Sequence, residues 1–426
     1  VLAAALGAAL LTPCTALGAG YGIYEQGAAV LGMAGAATAS VHDGSAEFYN
    51  PAALVRLEGR QVYAGGTWLS THISFAGVDP FPGYGVTEAM KSGSFFPPQL
   101  YWTNRPGKNW AYGVGVNAPF GLGIEWENPL TFTGRTHATK ATLRTINANL
   151  SFAYAFNDAF SVGLGYNAMF AGVELNQVRT QVIPGGGGGT VNVANVKLKS
   201  SLKPGYGING SLLWTPKVDW KFAFAYRAKV DVDVTGGDAT FTQIGTGNPA
   251  LDAAVAAGLP PAQKVDTKLH FPAILSFGAA WNPAPAWTWE LDGNLTQWSA
   301  FDNLPIDFKG KGASDTTFVE NYDDSWRIGI GAEHRLPAFT YRFGYYFDKA
   351  AAPTESVTPL LPDASRHGVT VGLGWQLGAK KAWNLDLYNL ALFVEKRSTE
   401  NKVLNDINGT YKSYVNGAGA SLAYHW

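Results

Sequence analysis

Residues 161–175 read SVGLGYNAMFAGVEL. Val162, Leu164, Tyr166, Ala168 and Phe170 hold the even positions, while the odd ones begin Ser161, Gly163, Gly165 and Asn167. Strict alternation marks a β-strand with two unlike faces. The stretch is far longer than the five or six residues typical of a soluble strand. The same pattern recurs in Trp220, Phe222, Phe224 and Tyr226 against Lys221, Ala223, Ala225 and Arg227, and continues as Val230, Val232 and Val234 beside Asp231 and Asp233. It returns in Trp287–Leu291, in Tyr341–Phe347 and in Val369–Leu377. About fourteen such strands can be counted, starting near Arg60, Pro97, Asn109, Lys140, Ala159, Leu202, Trp220, Val265, Ala286, Asp323, Ala338, His367, Ala382 and Tyr411.

Short turns join many of them, at Asn157-Asp158, Pro216–Asp219, Asn282–Pro285 and Gly378–Lys381. Longer irregular segments alternate with these: Gln181–Val191 with its glycines 185–189, Gly236–Lys264 and Asp348–Arg366. Short turns at one end and long loops at the other characterise outer-membrane barrels. An even strand number lets the sheet close, and closure satisfies every backbone donor and acceptor in lipid. The expected fold is therefore all-β, a 14-stranded antiparallel transmembrane barrel. Bulky apolar side chains would face lipid, with charge confined to the opposite face. A sandwich, propeller or solenoid would need shorter strands and a charged exterior.

Composition agrees. Of 426 residues only 15% are charged, against 13% aromatic and 46% hydrophobic, and 31 Lys+Arg nearly balance 32 Asp+Glu. Ordinary soluble domains carry about 25% charge. No basic stripe invites nucleic acid, disorder is excluded by the apolar content, and no apolar run long enough for a helix to cross a bilayer follows residue 18.

Residues 1–18 (VLAAALGAALLTPCTALG) have the apolar run and small-residue cleavage site of a signal peptide, with the basic leading region missing. A buried or anchoring helix is the alternative. Cys14 is the only cysteine; lipidation there is disfavoured by Pro13. A cut after Gly18 leaves no thiol or disulfide chemistry. The three expected parts are thus the leader 1–18, an Ala- and Gly-rich segment 19–59 without long alternation, and the barrel 60–426. The middle part would sit in the lumen as a plug, a periplasmic tail being the alternative. The chain ends in alternation up to Trp426, the kind of terminal strand that barrel-assembly machinery is expected to read.

A likeness to a known family is carried by Ala19-Gly20-Tyr21, by Gly32-Met33-Ala34-Gly35-Ala36-Ala37, and by Asn50-Pro51-Ala52-Ala53-Leu54. It continues through 161–168, Tyr226–Asp233, Gln297-Trp298-Ser299 and Leu361-Pro362-Asp363. In these the chain resembles the FadL family of outer-membrane transporters for long-chain fatty acids and aromatic hydrocarbons. The resemblance implies a monomeric barrel with an N-terminal hatch, anchored at Asn50, Pro51 and Ala52. It also implies passive uptake of a hydrophobic small molecule with lateral release into the membrane at an inward kink of the third strand. That kink maps to Asn117, Ala118, Pro119, Phe120 and Gly121. Pro119 lacks a ladder donor and Gly121 lacks a side chain, so read alone the site is equally a bulge or a strand end.

The resemblance places Tyr21 and Leu175 in an inner substrate pocket, with Phe120 close by. Met169, Ala171, Val173 and Leu175 are apolar on the lumen face, where a water pore would be polar; ordinary packing is the alternative. Fatty-acid members are expected to hold a carboxylate with a basic residue just beyond the pocket leucine. Here that position is Gln177, so Arg179 becomes the substitute, with Lys309 and Lys311 as further candidates. The seven histidines are dispersed without metal-ligand spacing, and no nucleophile elbow or phosphate loop occurs. No enzyme activity, catalytic residue, metal or cofactor is expected. The expected partners are the hydrophobic substrate, outer-membrane lipid with lipopolysaccharide, and the assembly machinery. An outer-membrane lipid hydrolase and a water-filled porin are the rival readings.

Overall fold

A computed structural model describes residues 19–183, 189–399 and 407–426. The leader 1–18 with Cys14, and glycines 185–188 of the glycine run, lie outside the described residues. The remainder forms one closed antiparallel barrel of fourteen strands.

In chain order these are β1 (Arg60–Gly77), β2 (Thr87–Ala89, Gly93–Phe95 and Pro98–Asn104), β3 (Trp110–Asn117 and Gly121–Glu125), β4 (Lys140–Ala155) and β5 (Phe160–Val182). There follow β6 (Thr190–Lys199 and Lys203–Lys217), β7 (Trp220–Arg227 and Val230–Gln243) and β8 (Gln263–Phe271 and Ile274–Ala284). Next come β9 (Trp287–Thr296 and Asn303–Phe308), β10 (Thr316–Val319 and Ser325–Arg335) and β11 (Thr340–Asp348). The last three are β12 (Arg366–Leu377), β13 (Trp383–Val394) and β14 (Gly409–His425). Each strand pairs with its chain neighbours, and β14 closes on β1 in continuous register from Gln61–His425 to Gly77–Gly409. Closure of this kind is the condition for backbone in hydrocarbon.

The two faces of β5 separate as the alternation requires. Leu164, Tyr166 and Phe170 are exposed, whereas Ser161, Gly163, Asn167 and Met169 are buried. Comparable rows of exposed apolar residues run along β10 (Trp326, Ile328, Ile330) and β12 (Val369, Val371, Leu373). So large an apolar exterior suits lipid rather than water. Aromatic rings gather where strands meet the short turns, as in Trp220 against Trp281 and Trp383 against Tyr424. These form the aromatic girdle expected at a membrane interface.

Several strands extend further into the long-loop end than their patterning suggests. β6 begins at Thr190 rather than near Leu202, and β7 runs to Gln243. A helix, α3 (Pro249–Gly258), tops the β7–β8 loop, with the Asn248 side chain capping the N–H groups of Ala250 and Leu251. One face assignment is corrected. Val230, Val232 and Val234 are buried inside, while Asp231 and Asp233 are exposed. The ladder with β6 is interrupted at Ala228-Lys229, and the β7 strand beyond it packs onto the inner side of Gly205 and Gly207. A break of this kind reverses which alternate residues face the core.

Residues 19–57 lie inside the barrel and are almost wholly buried. They contain α1 (Ala28–Gly32), α2 (Ala46–Tyr49) and a 3-10 turn, Pro51–Arg56. Polar side chains from the wall grip this segment. Asp292 accepts from the N–H groups of Ala37 and Thr38, Glu290 from that of Ala39, and Arg327 donates to the Ala34 carbonyl. Wall glycines make room: a Cβ on Gly331 would stand 2.4 Å from the Met33 carbonyl oxygen.

Candidate functional site

The third strand is broken where Pro119 interrupts it. Toward β4 the register slips, with Asn117 opposite Asn147 but Gly121 opposite Arg144, so β3 carries one extra residue, a bulge. Toward β2, pairing stops at Val116–Leu100 and resumes only at the isolated Trp126–Met90 bridge. The freed edge of β3 is taken by the N-terminal segment. Ile23 N–H donates to the Pro119 carbonyl at 2.8 Å, Gly121 N–H to the Tyr21 carbonyl at 2.9 Å, and Gln26 Nε2 to the Ala118 carbonyl at 3.1 Å. The break is therefore covered from inside by a short stretch that is not itself wall.

Tyr21 sits at the centre of that stretch among four aromatic rings. Its ring lies 4.7 Å from Trp298, 5.1 Å from Phe301 and 6.0 Å from both Phe120 and Phe271, in edge-on geometries. Its hydroxyl donates to the His270 carbonyl at 2.9 Å. Burial pushes the Tyr21 hydroxyl far above its usual range, so it stays a neutral donor. Gly20, at φ +59°, leaves 2.9 Å between its Cβ position and the Trp298 ring, so only glycine brings Tyr21 this close.

Above this cluster lies a cavity of about 860 Å³. Tyr21 and Phe271 line it from the cluster side, Leu143, Val173 and Leu175 from β4 and β5, and Leu269 and Val234 from the β7–β8 hairpin. Phe301, Leu304, Leu360 and Leu361 add to the apolar wall. Its polar lining residues are Thr142, Glu174, Lys199, Ser200 and Thr267. A smaller cavity of about 410 Å³ lies beyond Leu122, toward Ile73, Ile124 and Asp363. Asp363 fixes that side by accepting the N–H groups of Ala351 and Ala352.

The expected substrate residues are thus divided. Tyr21, Val173 and Leu175 line the cavity, whereas Phe120 stands behind Tyr21 in the aromatic cluster. Met169 is buried but does not reach the cavity. Gln177 and Arg179 lie further up β5, where Gln177 pairs with Val196 and Arg179 is exposed with its guanidinium 5.7 Å from the Phe241 ring. Lys309 is 3.3 Å from Asp266 and away from the lining. Alternation along β5 sets which way a side chain points but not how high the cavity reaches. Phe271, Leu269 and Phe301 were not identifiable from sequence, because they come from a face reversal and from a loop. Trp298 and Leu361-Pro362-Asp363 carried the only visible signal, through the family likeness.

Asn50, Pro51 and Ala52 sit against β5 and β6. The Ala52 N–H is shared between Ser211 Oγ at 2.9 Å and Asn50 Oδ1 at 3.0 Å, and the Ser161 hydroxyl donates to the Ala52 carbonyl at 2.9 Å. Asn50 Nδ2 donates to the Thr38 carbonyl, tying two turns of the segment together.

A closed barrel with a lipid-facing belt, an internal N-terminal segment and an apolar chamber defines an outer-membrane β-barrel of the transport class. The model of the family described as outer membrane protein transport protein (OMPP1/FadL/TodX) matches residues 9–425, and the chain belongs to that family. It is 24% identical over 392 residues to the long-chain fatty acid transport protein of Escherichia coli O6:H1, covering 86% of this chain and 85% of the relative. Among solved structures it resembles a Pseudomonas aeruginosa FadL homologue with a TM-score of 0.83 and 19% identity, covering 96% of this chain and 100% of the other. It also resembles the Pseudomonas putida toluene transporter TodX, with a TM-score of 0.74 and 17% identity, covering 96% and 99%. At such identities the structures establish the fold alone. The family consists of transport proteins rather than enzymes.

Proposed function

We propose that this protein takes up long-chain fatty acids or hydrocarbons passively and releases them sideways into the membrane between β2 and β3. The observation that carries this reading is the adjacency of three features. An apolar chamber ends on Tyr21, Tyr21 lies on the stretch that covers the β3 break, and beyond that break β3 meets β2 again only around the isolated Trp126–Met90 bridge. A hydrophobe in the chamber gains about 0.8 kcal/mol per buried methylene, which is enough to hold it and little enough to let it leave for lipid. Residues 19–59 act as the hatch: they close the lumen to free water flow, and displacing Tyr21–Ile23 opens the lateral route. The substrate classes rest on the printed names of relatives, a long-chain fatty acid transport protein and a toluene transporter.

The test is uptake of a labelled fatty acid and a labelled aromatic hydrocarbon by cells carrying Gly121→Phe. The bulky ring at the break is expected to lower uptake of both while the barrel still reaches the outer membrane. Uptake equal to wild type by a correctly assembled variant would remove the β3 exit from the account.

A further inference from the structure

The outer face of β4 changes character along its length. Leu150, Phe152 and Tyr154 are exposed members of the apolar belt, whereas the same face carries Arg144 and Lys140 toward the long-loop end. Register with β5 is continuous from Ala155–Ser161 to Lys140–Asn176, so these side chains share one side of the wall. At about 3.3 Å per residue and a tilt of about 40°, Arg144 stands about 25 Å above Tyr154, which is the height of the apolar band of such barrels. Arg144 therefore marks the outer boundary of the hydrocarbon. It also borders the β3 break, since it pairs with Gly121 on one side and Gly172 on the other.

Arg144 is half-buried, yet among the described residues no carboxylate oxygen lies within 4 Å of it. Glycine on both flanks leaves its guanidinium free of covering side chains. The cations above it outnumber their acids. Glu174 is approached by Lys140 and Lys197 at 3.5 Å each and by Lys199 at 3.9 Å. Glu125 is shared between Lys140, at 3.7 Å, and Lys91. With Arg144 this places five cations over two carboxylates. On β7 and β8, by contrast, Lys268 and His270 are each matched by one acid, Asp233 at 3.8 Å and Asp231 at 2.7 Å. Glu174 and Lys199 belong to the stretch of wall whose inner face, with Leu143 and Leu175, lines the upper chamber. The charge surplus thus stands on the outside of the chamber. Each basic residue at the edge of a bilayer strengthens the hold on anionic lipid several-fold, and a guanidinium matches a phosphate with two parallel hydrogen bonds.

We propose that this patch docks a phosphorylated glycolipid of the outer leaflet, lipopolysaccharide, with Arg144 on one phosphate and Lys197 and Lys199 on the other. By strand spacing and rise, Arg144 and Lys199 stand about 12 Å apart, which suits phosphates carried at the two ends of a disaccharide. The docked lipid borders the β3 break on its membrane side. This goes beyond the transport reading and does not depend on it.

The test is native mass spectrometry of the purified full chain in non-ionic detergent, titrated with bisphosphorylated lipid A and with lipid A stripped of both phosphates. The wild type is expected to bind the bisphosphorylated form the more tightly, and less so at high salt. Arg144→Gln and the double variant Lys197→Gln/Lys199→Gln are each expected to weaken that binding by about fivefold or more. Lys349→Gln, which removes an exposed cation from the opposite wall, is expected to leave it unchanged. Heat-modifiable migration checks that each variant is folded, and if Arg144→Gln fails to assemble, the lysine variant decides. Equal binding of the two lipids, or wild-type affinity in the folded variants, would overturn the site. Displacement of the lipid by inorganic phosphate at equal concentration would overturn it too, by assigning the patch to a free anion. Uptake is not read, so either result leaves the transport reading to its own test.

Discussion

At Gly163 the barrel wall comes very close to the internal segment. A methyl group added there would stand 2.4 Å from the Ala52 nitrogen, 2.7 Å from the Pro51 carbonyl carbon and 2.8 Å from Ser211 Oγ. Ordinary contact needs about 3.5–4 Å, and two of the three obstacles are backbone, so in Gly163→Ala the Asn50–Ala52 turn must retreat by about 1 Å. That retreat breaks the bonds of Ala52 to Ser211 and Ser161, both 2.9 Å in the native packing. At about 0.5–1.5 kcal/mol each, the loss comes to about 1–3 kcal/mol, or a 5- to 150-fold rise in the displaced population, by approximate conversion. Hydrogen-exchange mass spectrometry on peptides spanning residues 50–57 is expected to show lost protection, and planar-bilayer recordings are expected to show openings rare in wild type. Gly293→Ala is the control, since nothing lies within 4 Å of its Cβ position. Native protection and a silent barrel in Gly163→Ala, with the residue present by mass, would refute the claim that this contact seats the segment.

Leu175→Trp puts a large ring into the upper chamber and is expected to cut uptake several-fold while heat-modifiable migration of the folded barrel stays normal; equal uptake would show that the chamber is not on the path. Burial raises the Glu47 carboxyl to about 8 from 4.5. A raised acid contributes stability that is fully present below the unfolded value, declines as pH rises, and is gone above the folded value. Exchange protection of residues 45–50 is therefore expected to fall between pH 5 and 9, by up to about 5 kcal/mol, and to stay level in Glu47→Gln, with profiles compared by hydrogen exchange. Trp426 stacks on Tyr424 at 5.5 Å and exchanges backbone hydrogen bonds with Arg60. Trp426→Ala is expected to lower the amount of folded protein in outer-membrane fractions on immunoblots, and normal levels would exclude its ring as an assembly signal.

The membrane-facing architecture could be read from residues 161–175 and their counterparts because the information is local. A strand in lipid shows one face to hydrocarbon and the other to a polar interior, and the period of two records this directly. Turn chemistry marked the short-loop end, and Pro119 with Gly121 marked the weak point of β3. The interior was less legible. Val230, Val232 and Val234 carry the same alternation as lipid-facing residues, yet a break at Ala228-Lys229 turns them inward. Gln177 and Arg179 share a strand with Leu175 but lie beyond the top of the chamber, where sequence distance does not measure height.

What the chain's own residue order determined is the barrel, its strands and their lipid-facing side, since hydropathy alternation and backbone satisfaction act residue by residue. Only the closed tertiary structure decided which side chains meet in the lumen. Residues as distant as Tyr21, Phe271 and Trp298, or Arg227 and Phe48, are brought together by closure of the sheet around the N-terminal segment. Whether an interior arginine meets an acid, as Arg342 does, or an aromatic ring, as Arg227 does, depends on that packing, and no local pattern encodes it.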